Sequence, residues 1–268
     1  IVLFMSKFLT LISMIQLTFL GTGTSQGVPV IGSNHPVCLS SNPKDKRLRS
    51  SVLIKWDDRN YIIDCGPDFR QQLINNPIDK LDGILFTHSH ADHTAGLDDI
   101  RPFFFRQGSI DIYLTKDVYE NLNMRFNYIL NDKNKYPGSP SVNINLIKDG
   151  EKFKLNENFV MPIKASHNTL MVTGYRFKDL AYMTDVKMID SKSKKDLKNL
   201  NTLILSCLRI KAHPSHLNLE EALELINELK PKKTYLMHIS HLLGFHDEVS
   251  LKLPNNVFLA YDNLSISS

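Results

Sequence analysis

The sequence predicts a layered domain of the α/β or α+β class. Many short segments rich in β-branched and aromatic residues end at Gly, Pro, Asn or Asp, which is typical of strands. Helical segments are scattered among these strands, as in layered folds. The 268 residues are 42% hydrophobic and 22% charged. These are ordinary globular values, and they exclude a disordered chain, a collagen and a coiled coil.

Each predicted element follows from local periodicity. Apolar residues recur at helical spacing through 219–229, with Asn218 as the N-cap and Pro231 beyond the end. Weaker periodicity predicts helices at 68–75, 116–130 and 190–200, and residues 131–141 form a polar loop punctuated by Pro and Gly. Strands are predicted at 15–20, 51–56, 61–64, 83–87, 110–114, 142–147, 159–164, 172–177, 202–206, 234–237 and 257–261.

The cysteine content and the net charge limit the compartment and the partners. Cys38, Cys65 and Cys207 contain no CxxC pair, which favours a reducing compartment and hence the cytoplasm. The net charge of +4 is too small, over this length, to argue for nucleic-acid binding by itself.

The first residues are apolar, with Lys7 as the only charge before residue 15. They lack the basic start and the small-residue cleavage site of an export signal, and they are too short to span a membrane. We therefore expect a leader or non-native extension at 1–14, with Met14 as a start site, followed by one hydrolase domain at 15–268. No membrane partner is expected.

Ten histidines make metal chemistry the main question for function. Directly after the predicted strand 83–87 come His88, Ser89, His90, Ala91, Asp92 and His93. If the strand continues, His88 and His90 point the same way, and Asp92 and His93 lie on the following turn. One cation is unlikely to use all four ligating side chains, so the spacing favours two metals about 3.5–4 Å apart. The alternative is a solvent-exposed loop that happens to be rich in histidine.

This HxHxDH pattern resembles the hallmark of the metallo-β-lactamase superfamily. The resemblance extends to FLGTGTSQGVP at 19–29 and to YIIDCG at 61–66. The opening is most similar to the phosphodiesterase branch, which contains the phosphoribosyl cyclic phosphodiesterases of carbon–phosphorus lyase pathways and the tRNA 3′-end endonucleases. The resemblance implies an α/β fold of four αββα layers, with two mixed β-sheets packed face to face and helices outside.

The resemblance also implies three further metal ligands. A histidine after a mid-chain strand matches His167, a metal-bridging aspartate at a strand end matches Asp185, and a histidine after a late strand matches His238. The alternatives are a core histidine and an ordinary strand-terminating aspartate. Asp64 would orient a loop or a ligand. The implied first metal is held by His88, His90 and His167, the second by Asp92, His93 and His238, and Asp185 bridges them.

A histidine directly before the clear helix is the candidate general acid. In the phosphodiesterase branch such a histidine helps the leaving oxygen depart, and His216 matches that position better than His213. The alternative is a helix-flanking histidine that bonds a backbone carbonyl.

A second, structural zinc site is also implied, and this sequence departs from its pattern. His35, Cys38 and His241 could supply three ligands, but Ser33 stands at the first family position and is a poor ligand. Either another group completes the site or the metal has been lost. His246 has no assigned role.

Together these features predict a binuclear phosphodiesterase that uses two divalent metal ions, zinc or manganese. A hydroxide bridging the metals would attack a small or cyclic phosphodiester, with Asp92, Asp185 and His216 as the catalytic residues. The alternatives are a tRNA 3′-end endonuclease, an acyl or thioester hydrolase, and a scaffold without turnover. Nucleic acid is not favoured, because no long basic arm is visible. A homodimer is a further expectation.

Overall fold

A computed structural model describes residues 14–268 of the chain, so the predicted extension lies outside the described residues except for Met14. Two seven-stranded β-sheets dominate this part of the chain. The first sheet contains β1 (Ile15–Gly21), β2 (Ser51–Trp56), β3 (Arg59–Ile63), β4 (Gly83–Leu85), β5 (Ile110–Leu114), β6 (Val142–Leu146) and, at its edge beside β1, β14 (Ser265–Ser267). The second contains β7 (Phe153–Leu155), β8 (Asn158–His167), β9 (Leu170–Phe177), β10 (Leu180–Met183), β11 (Thr202–Ser206), β12 (Lys233–Met237) and β13 (Val257–Leu259).

Short helices connect the strands. The longest is amphipathic, and its N-terminus has a capping box in which Asn218 and Glu221 satisfy each other's backbone N–H groups. The α-helices are α1 (Pro36–Leu39), α2 (Phe69–Asn75), α3 (Ala91–Thr94), α4 (Arg101–Gln107), α5 (Lys116–Arg125), α6 (Asn127–Leu130), α7 (Ser191–Lys195), α8 (Leu219–Leu229) and α9 (His246–Ser250).

Both sheets are mixed, with an antiparallel half and a parallel half. In the first sheet, β14, β1, β2 and β3 pair antiparallel, and β3 to β6 pair parallel. In the second sheet, β7 to β10 pair antiparallel, and β10 to β13 pair parallel. Parallel strands end on the same sheet edge, and ligand sites form there in α/β folds.

Three apolar layers hold the sheets and helices together. One cluster lies between the sheets and includes Phe19, Trp56 and Tyr175. A second joins the other face of the second sheet to α8, and a third covers the other face of the first sheet. Helices outside two face-to-face sheets confirm the predicted αββα sandwich. Among residues 14–268, no helix is long and apolar enough to cross a membrane.

The predicted elements differ from the structure mainly in short segments. Strands β7 and β14 are three residues long and carry exposed residues, so they lack the apolar runs that mark a strand. Helix α4 begins Arg-Pro and was not predicted. The predicted helix 116–130 is broken at Phe126, and 190–200 is helical only over α7. The prediction for 219–229 matches α8.

Candidate active site

The HxHxDH segment turns sharply at the end of the first sheet. His88 follows β4 closely, and α3 begins at Ala91, one residue after His90. His88 Nε2 and His90 Nδ1 approach to 3.1 Å, and their ring centroids are 4.7 Å apart. The first turn of α3 carries Asp92 and His93, whose ring centroid is 4.3 Å from that of His88. The structure therefore brings all four side chains of the motif together.

Asp185 lies at the centre of the cluster. Its Oδ1 is 3.2 Å from Nε2 of His238 and 3.4 Å from Nε2 of His93. Its Oδ2 is 3.9 Å from Nε2 of His88. Asp92 approaches His93 Nε2 at 3.2 Å from the other side. One buried carboxylate therefore faces three imidazole rings, which is the position that a bridging ligand requires.

His167 completes the ring of histidines from the end of β8. Its ring centroid is 5.3 Å from that of His90 and 5.9 Å from that of His88. Its Nδ1 is 2.7 Å from the carbonyl oxygen of Ser215, and because a carbonyl can only accept, Nδ1 donates. The neutral ring therefore keeps its lone pair on Nε2.

Asp64 orients two more imidazole rings, that of His93 directly and that of His88 through Thr87. Its carboxylate accepts hydrogen bonds from His93 Nδ1 at 2.7 Å and from the Thr87 amide and hydroxyl at 2.8 Å. Since the Thr87 hydroxyl donates to Asp64, it accepts from His88 Nδ1 at 2.9 Å. Both His88 and His93 thus direct an unprotonated Nε2 to the cluster when neutral, as metal-binding histidines do.

Several buried nitrogen atoms in the cluster have no hydrogen-bond partner. His238 Nδ1 has no partner, and the Nε2 atoms of His93 and His238 make no hydrogen bond of good geometry although carboxylate oxygens lie 3.2–3.4 Å away. Such atoms are rare in folded proteins because each costs free energy, and an ion can satisfy them. Ligand atoms of Asp92, His93, Asp185 and His238 all lie within 4.8 Å of one another, as do those of His167, Asp185 and His216. These imidazole and carboxylate donors fit divalent cations such as zinc or manganese.

Three site residues have strained backbones. Asp64, Asp185 and His238 have φ of 62°, 54° and 58°, in the left-handed region that non-glycine residues seldom adopt. Each follows the end of a strand, namely β3, β10 and β12. Such strain costs about 1–3 kcal/mol per residue and clusters at functional sites.

The ionised groups of the cluster stabilise one another. Burial acts to lower the pKa of His93, but the carboxylates of Asp185 and Asp64 outweigh it and raise that pKa well above its usual value. Burial acts to raise the pKa of Asp185, and His238 and His93 reverse the effect and hold it well below its usual range. The two carboxylates therefore favour positive charge at this position, which a divalent cation would supply.

His216 joins the cluster from the loop before α8. Its ring centroid is 4.3 Å from that of His167 and 4.7 Å from that of His238, and its Nδ1 is buried without a partner. Burial and the nearby His238 lower the pKa of His216 to about 2. His213 is half-buried, 5.1 Å from His216 between ring centroids, and accepts a hydrogen bond from the Ser215 amide. Of the two candidates, His216 is the one within the cluster.

The proposed structural-zinc residues are only partly assembled. The rings of His35 and His241 lie 4.9 Å apart, but together with Cys38 they form no group of three ligand atoms within 4.8 Å among residues 14–268. His35 Nδ1 accepts from the amide of Val37 as an N-cap, and Ser33 Oγ accepts from the amide of His35. The Cys38 Sγ accepts from the amide of Val30, so three of the four positions are engaged with backbone.

Some residues that support the candidate ligands could not be recognised from the sequence. Thr87 and Ser215 orient ligand histidines through a hydroxyl and a carbonyl. Arg125 on α5 donates to the carbonyl of Ser89, between two ligands, at 2.7 Å, and to Thr94 at 3.0 Å. The only sequence signal for Thr87 and Ser215 is their position. Thr87 directly precedes the candidate ligand His88, and Ser215 directly precedes His216, the candidate general acid.

Comparison with known proteins gives consistent matches. A family model described as a β-lactamase superfamily domain matches residues 59–239. A crystal structure of a diphosphatase from the PhnP family is 37% identical, with a TM-score of 0.89, over 95% of this chain and 97% of that one.

Two curated relatives are longer than their matched regions. An octanoyltransferase of Porphyromonas gingivalis is 37% identical over 91% of this chain, and the chain spans only 50% of that protein. A ribonuclease Z of Bradyrhizobium diazoefficiens is 35% identical over 86 residues, which are 31% of this chain and 23% of that protein.

Proposed function

The chain belongs to the β-lactamase superfamily and, by its likeness to the diphosphatase over nearly all of both chains, to the PhnP family, and from this premise we propose that it hydrolyses a small or cyclic phosphodiester. The diphosphatase and the ribonuclease Z are hydrolases, whereas the octanoyltransferase is named for acyl transfer, so the proposal concerns the bond that is cleaved. The observation that supports a phosphoester is His216, which joins the ligand cluster in addition to the candidate ligands, with its ring 4.3 Å from that of His167 and 4.7 Å from that of His238.

The ligand set divides into two groups around one carboxylate. His88, His90 and His167 would hold one cation, and Asp92, His93 and His238 a second, with Asp185 between them. Zinc or manganese in these positions would supply Lewis-acid stabilisation of the phosphoryl oxygens and activation of water.

The remaining side chains hold this arrangement in place. Asp64, Thr87 and the Ser215 carbonyl fix the imidazoles in the tautomers that direct Nε2 to the cluster. Rings that are already oriented lose little freedom on binding a cation or a substrate, which favours a precise site.

His216 is assigned to the leaving oxygen. An alkoxide leaves phosphorus slowly unless it receives a proton, and a positioned imidazole is the commonest donor. Burial and the nearby His238 disfavour the charged form of the ring. A bound phosphodiester anion would favour the charged form and so bring a proton to this side of the site.

We further propose a reducing compartment and a single-domain organisation. Cys38, Cys65 and Cys207 are buried free thiols, which supports a reducing compartment such as the cytoplasm. Residues 15–268 would act as one hydrolase domain.

A substrate panel tests the proposed bond. Metal-loaded protein would be assayed with a cyclic ribose phosphate, a diphosphate ester, a precursor tRNA and an acyl thioester. We expect the highest kcat/KM for the cyclic phosphodiester. Faster cleavage of the tRNA would instead favour the activity named by the ribonuclease Z relative, and faster cleavage of the thioester would favour acyl chemistry.

The role of His216 is tested by changing the leaving group. His216→Ala should slow an alkyl phosphodiester by about a hundredfold or more and a nitrophenyl ester much less, since nitrophenolate leaves without a proton. His213→Ala is the matched control, because it lies outside the ligand cluster. Equal losses on both esters would contradict the assignment.

A further inference from the structure

A cavity of about 460 Å3 lies at the end of the sandwich away from the ligand cluster. Its walls include residues at the start of β8 and the end of β9, whereas His167 is the last residue of β8. Eight residues of extended strand separate Phe159 from His167, a distance of roughly 25 Å. A ligand in this cavity would therefore be remote from the proposed chemistry.

Positive charge dominates the lining of the cavity. Lys152, Arg176 and Lys178 line it, against a single carboxylate from Asp196. Arg176 donates through Nε to the carbonyl of Lys178 and through Nη1 to the carbonyl of Asp196, so its hydrogen bonds go to backbone oxygens. Within residues 14–268, neither Arg176 nor Lys152 makes an ion pair. Their two charges are therefore available to an anion.

A buried donor without an acceptor lines the same cavity. Trp56 is 2% exposed, and its indole N–H has no hydrogen-bond partner in the described part of the chain. The ring of Trp56 nevertheless lies beside the cavity, so its emission can report on a molecule bound there.

The cavity also has an apolar side. Phe159 is 56% exposed on β8, and Met161, two residues further along the strand, points to the same side of the sheet. An exposed aromatic ring beside cations can pack against a flat or apolar part of a ligand. The volume lies within the range of small-molecule sites.

We propose that this cavity is a second binding site, which takes a small organic anion with a flat apolar portion, such as a nucleoside monophosphate. The anionic group would contact Arg176 and Lys152, and the flat portion would pack on Phe159. The inference does not depend on the reaction at the ligand cluster.

The only tryptophan of the chain makes the site directly observable. Adenosine monophosphate would be titrated into metal-loaded protein, with tryptophan emission excited where the nucleotide does not absorb, and with calorimetry as a second measurement. We expect a saturable change in emission. Ribose 5-phosphate should bind more weakly because it lacks the flat portion, and equal binding would contradict the role of Phe159.

Variants separate this cavity from the ligand cluster. Arg176→Ala and Lys152→Ala should each weaken binding about tenfold, because each removes a charged hydrogen bond. The side chain of Lys152 makes no hydrogen bond within residues 14–268, so its removal should leave the fold intact. Arg106→Ala, an exposed change of the same charge on α4, and Asp92→Ala in the ligand cluster should leave the affinity unchanged.

The proposal is overturned by the absence of a saturable signal with adenosine monophosphate. It is also overturned by unchanged affinity in both Arg176→Ala and Lys152→Ala, or by loss of the signal in Asp92→Ala, which would place the nucleotide at the ligand cluster. A failure of the phosphodiesterase assays would leave this result unaffected, so the two proposals are tested separately.

Discussion

The orientation of single imidazole rings determines what the cluster can bind. Asp64 is completely buried and accepts three hydrogen bonds, one of them from His93 and two from Thr87. Burial raises the pKa of Asp64, and His93 and Thr87 oppose that effect. A buried carboxylate in this position is costly unless its hydrogen-bond partners are all in place.

Asp64→Asn tests this orientation. The amide NH2 group cannot accept from His93 or Thr87, so metal affinity should fall about 10- to 100-fold. Competition with a chromogenic chelator measures the affinity, and circular dichroism checks the fold. Asp149→Asn is the matched control, since Asp149 accepts one bond from Thr173 and lies outside the cluster. Unchanged metal affinity in Asp64→Asn would contradict the role of Asp64.

The close spacing of His88, His90 and His93 marks a candidate ligand segment in the sequence. His167 and His238, by contrast, were expected only from the resemblance to the family. Thr87 and Ser215 could not be predicted, because a hydroxyl or a carbonyl that orients a ligand has no characteristic spacing. Their roles depend on distances between segments far apart in the chain, such as 2.7 Å from His167 to Ser215.

At the scale of elements, buried glycines explain why the strand ends meet. A Cβ on Gly66 would lie 2.0 Å from the carbonyl oxygen of Asp92, so only glycine lets this loop reach the ligand segment. The chain therefore needs glycine directly after Asp64 and Cys65. The motif YIIDCG was identified by resemblance, and this close approach supplies its physical reason.

A buried polar cluster connects the loop before β2 to α9 and to the segment after β13. Arg47 donates to Thr22 Oγ1 at 2.7 Å, to the carbonyl of Ala260 at 2.6 Å and to His246 Nδ1 at 3.1 Å. His246, which had no role from sequence, therefore acts as an acceptor at the start of α9. An arginine can only donate, so this bond requires a neutral His246.

This bond predicts a pH dependence of stability. Burial, Arg47 and Lys44 lower the pKa of His246 to about 4, below its unfolded value of 6.5. Folding therefore favours the neutral imidazole of His246. The contribution of this group to the free energy of unfolding is complete above pH 6.5 and is lost as the pH falls towards 4. The free energy of unfolding should fall by up to about 1.4 kcal/mol per pH unit in that window.

Urea unfolding of the wild type and of His246→Gln at several pH values measures this effect. Glutamine retains an acceptor and does not titrate, so the difference between the two proteins should shrink as the pH falls from 6.5 to 4. Parallel pH profiles would show that His246 does not titrate with folding.

At the scale of the whole molecule, one hydrogen bond connects the two sheets close to the site. The hydroxyl of Tyr175 on β9 donates to the carbonyl of Phe86, just after β4, at 2.6 Å, and both residues are buried. This contact connects the second sheet to the strand end that leads into His88. It therefore couples the packing of the sandwich to the position of the ligand segment.

Tyr175→Phe removes that bond without changing the ring. The buried carbonyl of Phe86 then lacks a hydrogen-bond donor, so the free energy of unfolding should fall by about 1–3 kcal/mol. Urea denaturation measures the change. Tyr113→Phe is the control, because its hydroxyl lies 3.5 Å from Asp111 and should contribute much less. Equal effects of the two substitutions would contradict a specific role for the bond between the sheets.

A layered fold was predictable because buried strands such as β2 and β11 carry apolar residues on both faces, whereas the αββα arrangement was expected from the resemblance. The short edge strands were not, since β7 and β14 gain their conformation from pairing with a neighbour rather than from their own residues. The His35 and His241 pair was expected from resemblance, but the engagement of Ser33 and Cys38 with backbone depends on a local turn.

Metal content tests the central claim most directly. Metal-loaded protein, analysed by elemental analysis after removal of unbound ions, should contain about two divalent ions per chain. Asp92→Ala should retain about one, because it removes a ligand from the second group only, and its phosphodiester hydrolysis should be abolished. A chain that binds no divalent metal and still hydrolyses phosphodiesters at the wild-type rate would contradict the account.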